Sequence, residues 1–271
     1  MNLIDRITQI HIGVRSKQYE KSKGKISFIA FHNRCHNILL PGIRVMRRFR
    51  KEKIYILHDK RPDLTEGAIY ACTHIGGFDI ETLFEAIQAP CWLFLADPRE
   101  IYINFDGLLL WLNGVICFES DSKSDRLIAK EKATNLLKAG GSLMIFPEGA
   151  WNIYHNMPIM PLYWGCADMA IQSNTPIIPV AVEIYDKCYI VNIGECINVN
   201  ENDDKVLVTN LLSEKLSTLK WEIWERQGIH KRCELLDVET SFLHKMFNLK
   251  NTSVTIEDVL RCRYYPKNSD I

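Results

Sequence analysis

The chain has 271 residues, enough for one large α/β domain with a small appendage. Its 33 Lys and Arg balance 33 Asp and Glu, so the zero net charge leaves no electrostatic footprint for nucleic acid, and no zinc-finger spacing or aromatic RNA-binding motif adds one. With 47% hydrophobic and 24% charged residues, the composition is that of an ordinary globular protein.

The nine cysteines are odd in number and contain no Cys-x-x-Cys pair. Cys72, Cys91, Cys117 and Cys166 sit in apolar runs, where a free thiol behaves as a small hydrophobe. This pattern predicts a reducing cytoplasm rather than a disulfide scaffold. The opening Met1-Asn2-Leu3-Ile4-Asp5 lacks the regions of a signal peptide. No run reaches the roughly 18 apolar residues that span a bilayer; the longest candidate, Gly107 to Phe118, is shorter and contains Asn113. The expectation is a cytoplasmic protein, soluble or peripheral on the inner face of a membrane.

From the N-terminus, Phe28, Phe31, Cys35, Ile38, Leu39, Ile43, Met46 and Phe49 recur at helical steps, and Pro41-Gly42 should split the pattern into two helices. Arg44, Arg47, Arg48 and Lys51 fall on the other side of the second helix, with Lys17, Lys21, Lys23 and Lys25 upstream. Such a basic amphipathic pair (residues 1–53) either caps the rest of the chain with its apolar stripe or lies in the headgroup region of an anionic membrane. From Ile54, strands near 54–57, 68–72, 91–96, 115–119, 142–146, 177–185 and 188–199 alternate with helices near 79–88, 102–113, 123–139 and 163–173. This alternation predicts an α/β fold over 54–200, a mainly parallel twisted sheet flanked by helices. Asp186-Lys187 suggests a hairpin at its far edge. Residues 201–271 read as a C-terminal helical appendage that begins with a helix near 206–227.

The chemistry concentrates at two strand ends. Thr73-His74-Ile75-Gly76-Gly77-Phe78-Asp79 joins the strand 68–72 to the helix 79–88. A His and an Asp at that spacing in a turn can pair, the carboxylate fixing the imidazole tautomer and the imidazole acting as general base. Phe146-Pro147-Glu148-Gly149 ends the strand 142–146: Pro147 cannot donate to a ladder, and Gly149 permits a sharp turn. In open α/β sheets ligands gather at the carboxyl ends of strands, so His74, Asp79 and Glu148 can converge.

His-x4-Asp, Phe-Pro-Glu-Gly some seventy residues later and Thr175-Pro176-Ile177-Ile178-Pro179-Val180-Ala181-Val182, with a weaker element at Gly114-Val115-Ile116-Cys117-Phe118-Glu119-Ser120, together resemble the glycerolipid acyltransferase family, which includes the lysophosphatidate acyltransferases. Order and spacing match over about residues 65–185. The resemblance implies transfer of a fatty acyl group from an acyl thioester, acyl-CoA or acyl-carrier protein, to a lipid acceptor at a membrane surface, with no cofactor and no metal. His74 would take the acceptor's proton, Asp79 would orient His74, and Glu148, Gly149, Phe146 and Pro147 would form the acceptor site. Amides of Gly76 and Gly77 are oxyanion candidates.

Three departures concern the family's basic residues. Ser120, Trp151 and Trp164 stand where the family usually has Arg, Arg and often Lys, groups thought to hold an acceptor phosphate. Arg99 and Arg126 are the candidate replacements. A neutral, zwitterionic or amino acceptor fits the lost charges better, so an N-acyltransferase stays open beside the O-acyltransferase. A non-catalytic lipid-binding protein on the same scaffold and a hydrolase using Cys72 are the remaining readings. The other histidines (His11, His32, His36, His58, His155, His230, His244) read as surface or helix residues, and Asp168 as a solvated carboxylate.

Overall fold

The structure, a computed structural model, describes residues 3–22, 24–63, 66–97, 105–152, 154, 157–185 and 187–226. In chain order the elements are α1 (Leu3–Ser22), α2 (Ile29–Phe49), β1 (Lys53–Asp59), β2 (Ile69–Cys72), α3 (Asp79–Ile87), β3 (Trp92–Ala96), α4 (Phe105–Asn113), β4 (Val115–Phe118), α5 (Lys123–Lys138), β5 (Leu143–Ile145), α6 (Gly165–Ser173), β6 (Ile177–Tyr185), β7 (Cys188–Ile193) and α7 (Lys205–Glu225). The strands form one seven-stranded sheet in the order β1-β7-β6-β2-β5-β3-β4. Strands β2 to β6 all run the same way, while β7 is antiparallel to β6 and carries β1 parallel to itself at the edge.

The expected α/β class and mainly parallel sheet are present. Parallel strands covered on both faces read as continuous apolar runs, and all four residues of β2 are buried. On one face Ile69, Ala71, Leu143 and Ile145 pack among residues of α5 and α6. On the other Tyr70, Cys72 and Met144 meet Leu83, Phe84 and Ile87 of α3. The final strand is shorter than the sequence suggests: β7 stops at Ile193, and Ile197 adds only an isolated bridge to Ile177. Helix α7 is not a separate appendage over its described length. Leu212 and Leu216 enter the main core, and Leu219 and Ile223 pack on Ala181 and Ile190. The remainder of the appendage, from 227, lies outside the described residues, as do Asp186 and His155.

Helix α2 departs most from the sequence reading. It passes through Pro41 without splitting, because both halves are anchored. In the first half the Nδ1 atoms of His32 and His36 bond the Leu112 carbonyl at 3.0 Å and Asn113 Oδ1 at 2.8 Å. In the second half Arg47 donates two hydrogen bonds to Glu85 of α3. The inward face carries His32, His36 and Leu40, the two histidines being buried residues of this helix. Much of the apolar stripe points away from the protein: Phe28, Phe31, Ile38, Met46 and Phe49 are exposed, whereas Ile43 packs against the core. Helix α1, which apolar periodicity did not reveal, is docked by Arg15, whose guanidinium forks onto Asp125 at the start of α5.

A close backbone approach sets where β2 enters the sheet. A Cβ on Gly67 would lie 2.1 Å from the Gly141 carbonyl oxygen in the turn that ends α5. Gly67→Ala should therefore destabilise the protein by roughly 2–4 kcal/mol, since a main-chain group and not a flexible side chain must move. Chemical denaturation at fixed pH measures this.

Candidate active site

The parallel strands place the ends of β2 and β5 side by side, about 5 Å apart. Residues 74 and 148, distant in sequence, follow those two ends. Thr73 prolongs the pairing of β2 with β6: its amide donates to the Val180 carbonyl, and its Oγ1 accepts the Val182 N–H at 2.9 Å. His74 is thus the first residue free to leave the sheet.

The turn that follows is built on one oxygen. Asp79 Oδ2 accepts from His74 Nδ1 at 2.8 Å, from the Ile75 amide at 3.0 Å and from the Gly76 amide at 2.7 Å. Gly76 and Gly77 lie at φ of 75° and 69°, a left-handed pair that residues with a Cβ rarely adopt. Because a carboxylate only accepts, Nδ1 carries the proton and Nε2 presents a lone pair. The imidazole stacks on Phe146, with ring centres 4.0 Å apart and planes 20° apart, and Trp151 meets it edge-on at 6.0 Å. Committing the Gly76 amide to Asp79 withdraws it as an oxyanion donor and leaves Gly77 of the two.

Glu148 is buried, with only 4% of its surface exposed. Its Oε1 accepts the His74 amide at 3.0 Å and its Oε2 the Met160 amide at 2.7 Å. The Asn152 amide donates to the His74 carbonyl at 2.7 Å, and the Asn152 side chain donates to the Met157 carbonyl at 2.9 Å. The Pro147 carbonyl accepts the Tyr163 amide at 2.9 Å. Gly149, at φ 69°, lies under the Tyr163 ring, where a Cβ would come within 2.5 Å. The segment after β5 therefore folds back over the His74 main chain.

Ser120 and Arg126 do not join this cluster. Ser120 follows β4, three strands from β2 and so about 14 Å away along the sheet edge. Its amide and hydroxyl bind both carboxylate oxygens of Asp97, at 2.8 and 2.6 Å. The Arg126 guanidinium donates to the Ser120 carbonyl. Arg99 lies outside the described residues. Asp168 pairs with Lys130 at 2.5 Å instead of standing solvated. Cys72 is fully buried, and burial holds its thiol well above the ordinary range, so it cannot supply a thiolate nucleophile. Among the described residues, no group of three His, Cys, Asp or Glu side chains could hold a metal ion.

Asn152, Met160 and Lys220 were not read from the sequence. The first two act partly or wholly through backbone amides, which carry no residue signature. Lys220 is buried on α7, bonded to the Val182 carbonyl at 2.5 Å and to Glu183 at 3.0 Å. Its trace in the sequence is a lysine one turn after Leu216 and beside Leu219 on the apolar stripe.

With this geometry in view, comparison with known proteins gives a consistent outcome. The model of the Acyltransferase family matches residues 48–183, half of the chain, and the chain belongs to that family. Among named relatives, the mouse 1-acyl-sn-glycerol-3-phosphate acyltransferase alpha is 27% identical over 126 residues, 46% of this chain and 43% of that protein. The 1-acyl-sn-glycerol-3-phosphate acyltransferase of Borreliella burgdorferi is 26% identical over 141 residues, 52% of this chain and 55% of that protein. The matched stretch thus spans about half the length of these relatives. The crystal structure of the 1-acyl-sn-glycerophosphate (LPA) acyltransferase PlsC from Thermotoga maritima superposes with a TM-score of 0.57 at 12% identity, covering 84% of this chain and 99% of that one, which establishes the shared fold.

Burial pushes the Glu148 carboxyl up to about 7, against the pull of the two amides and of Lys220. The folded protein therefore binds this proton more tightly than the unfolded chain. The resulting stabilisation is complete below about pH 4.5 and is lost as pH rises through about 7, amounting to roughly 3 kcal/mol. In thermal scans, the Tm of the wild type minus that of Glu148→Gln should be larger at pH 5 than at pH 8; a flat difference would contradict the assignment.

Proposed function

We propose that the protein is an acyltransferase that moves a fatty acyl group from an acyl thioester, acyl-CoA or acyl-carrier protein, to the hydroxyl of a lysophospholipid-like or glycerolipid acceptor. The observation that carries this reading is the His74–Asp79 pair, held at 2.8 Å at the carboxyl end of a central strand in a chain of this family. His74 Nε2 takes the acceptor's hydroxyl proton as the oxygen attacks the thioester carbonyl carbon. Asp79 stabilises the imidazolium that forms. The tetrahedral intermediate collapses with cleavage of the C–S bond, and the leaving sulfur takes the proton back from His74 as a thiol. The substrate supplies the nucleophile, so no acyl-enzyme is formed. The Gly77 amide is the candidate donor to the oxyanion.

The acceptor would be presented at a membrane surface. Among the described residues, no helix is long and apolar enough to cross a bilayer. The exposed stripe of α2, with Phe105, Leu108 and Trp111 of the packed neighbour α4, instead suits burial in the headgroup region. Exposed Arg34, Arg48 and Lys51 would add attraction to anionic lipid.

Labelled palmitoyl-CoA and palmitoyl-carrier protein, offered with lysophosphatidate, other lysophospholipids, glycerol 3-phosphate and amino acceptors, test the reaction and name the acceptor. His74→Ala and Asp79→Asn should each lower kcat by roughly 10²–10⁴-fold while remaining folded. Transfer that His74→Ala leaves intact would sink the mechanism, and an amide product would replace the hydroxyl acceptor by an amine. In co-sedimentation with anionic vesicles, Phe31→Ser combined with Phe49→Ser should weaken binding by at least about tenfold, since each ring loses well over 1 kcal/mol of apolar contact. Raised salt should weaken it further.

A further inference from the structure

A carboxylate that receives an acceptor must turn an oxygen toward it. Glu148 does not: both oxygens are taken by main-chain amides, and the residue lies beneath the His74 peptide. The next peptide of the same residue is held as well, the His74 carbonyl accepting the Asn152 amide. Both polar groups of the His74 main chain are thus bound by the segment that follows β5. Through Oε2 that segment is also tied to Met160, so one carboxylate joins the end of β2 to the far side of the loop leading into α6. Besides the two amides, the charged groups that face Glu148 are the Lys220 ammonium from α7 and the Asp79 carboxylate from α3.

Asp79 fixes the imidazole tautomer and its Nδ1 contact but not the height of the residue above the sheet. The main chain of His74 sets that height, and with it the stacking of the ring on Phe146. A buried carboxylate with two amide donors is a stiff tether when ionised, because the hydrogen bonds are then charge-assisted and no water competes for them.

We propose that Glu148 is a positioning residue, which with the Asn152 amide clamps the His74 main chain and so sets the imidazole for proton transfer, and that it does not bind the acceptor. The proposal rests on the acyltransferase reading for its kinetic test but not for its structural one. Gln in place of Glu148 keeps the shape, yet it offers one carbonyl oxygen to two amide donors and points its own N–H groups at the other. A displacement of the base by a fraction of an ångström to one ångström is enough to cost on the order of 100-fold in rate.

The test compares full-length wild type with Glu148→Gln and Glu148→Asp, each shown to be folded by circular dichroism and a cooperative melt. Kinetic constants are measured for the donor and for the acceptor found in the panel, and the His74 ring nitrogens are followed by ¹⁵N NMR through a pH titration. The expected result is a kcat about 100-fold lower, an acceptor KM within threefold of wild type, and a moved His74 ring signal. An acceptor KM raised tenfold or more, with kcat kept at saturation and the His74 signal unmoved, would overturn the proposal. If wild type transfers to none of the acceptors, the acyltransferase reading is what fails; the His74 signal then decides alone, supporting the clamp if it moves in Glu148→Gln and refuting it if it does not. Should both Glu148 variants misfold, Asn152→Pro, which removes the amide that holds the His74 carbonyl, takes their place once shown to fold. It should lower kcat several-fold at unchanged acceptor KM, and wild-type kcat with an unmoved His74 signal would refute the clamp.

Discussion

One carboxylate oxygen organises the site. Asp79 Oδ2 collects an imidazole N–H and two amides, and each of the three has a separate consequence. The imidazole bond fixes which ring nitrogen is left as a base. The amide bonds to residues 75 and 76 curl the chain tightly enough that α3 begins at Asp79 itself. That curl forces two successive left-handed residues, which glycine at 76 and 77 supplies. The tautomer, the helix start and the turn are therefore one interaction seen from three sides. Removing that oxygen would disturb local folding and chemistry together.

The sheet order makes a site out of that turn. Had β5 been inserted elsewhere, the Phe-Pro-Glu-Gly turn would have emerged strands away from His74. Its place beside β2 lets Phe146 slide under the imidazole and brings Glu148 below the His74 peptide. The arrangement is costly in isolation, because a carboxylate that would rather be protonated is buried near neutrality. Local strain of this kind, offset by the packing of the flanking helices, is characteristic of positions kept for geometry and not for stability.

Much of the sheet was legible because its signal is local. Buried parallel strands appear as short apolar runs, and the Ser122 start and Gly140-Gly141 end of α5 are punctuation that sequence carries openly. His74 and Asp79 were legible for the same reason, being five residues apart. What was not legible depends on partners far along the chain. The periodicity of α2 shows a stripe but not which way it faces; that is decided by His36 meeting Asn113, 77 residues away. Nor does periodicity show that Arg47 is held by Glu85, which lies on another helix. Ser120 and Arg126 looked adjacent to the site because the motif order is linear, whereas the sheet places β4 at its edge, three strands from β2. Asn152 and Met160 contribute amides, which every residue but proline possesses.

The outward stripe of α2 has a thermodynamic consequence of its own. A helix that buries His32, His36 and Leu40 but leaves Phe31 and Phe49 exposed keeps much of its apolar surface hydrated in buffer. An apolar phase that takes up those rings more tightly from the ordered face than from the unfolded chain stabilises the folded form. By mass action the folding equilibrium is then linked to the concentration of that phase, so that the N-terminal helices have no single intrinsic stability. The cooperativity of unfolding becomes a property of the protein together with its surroundings.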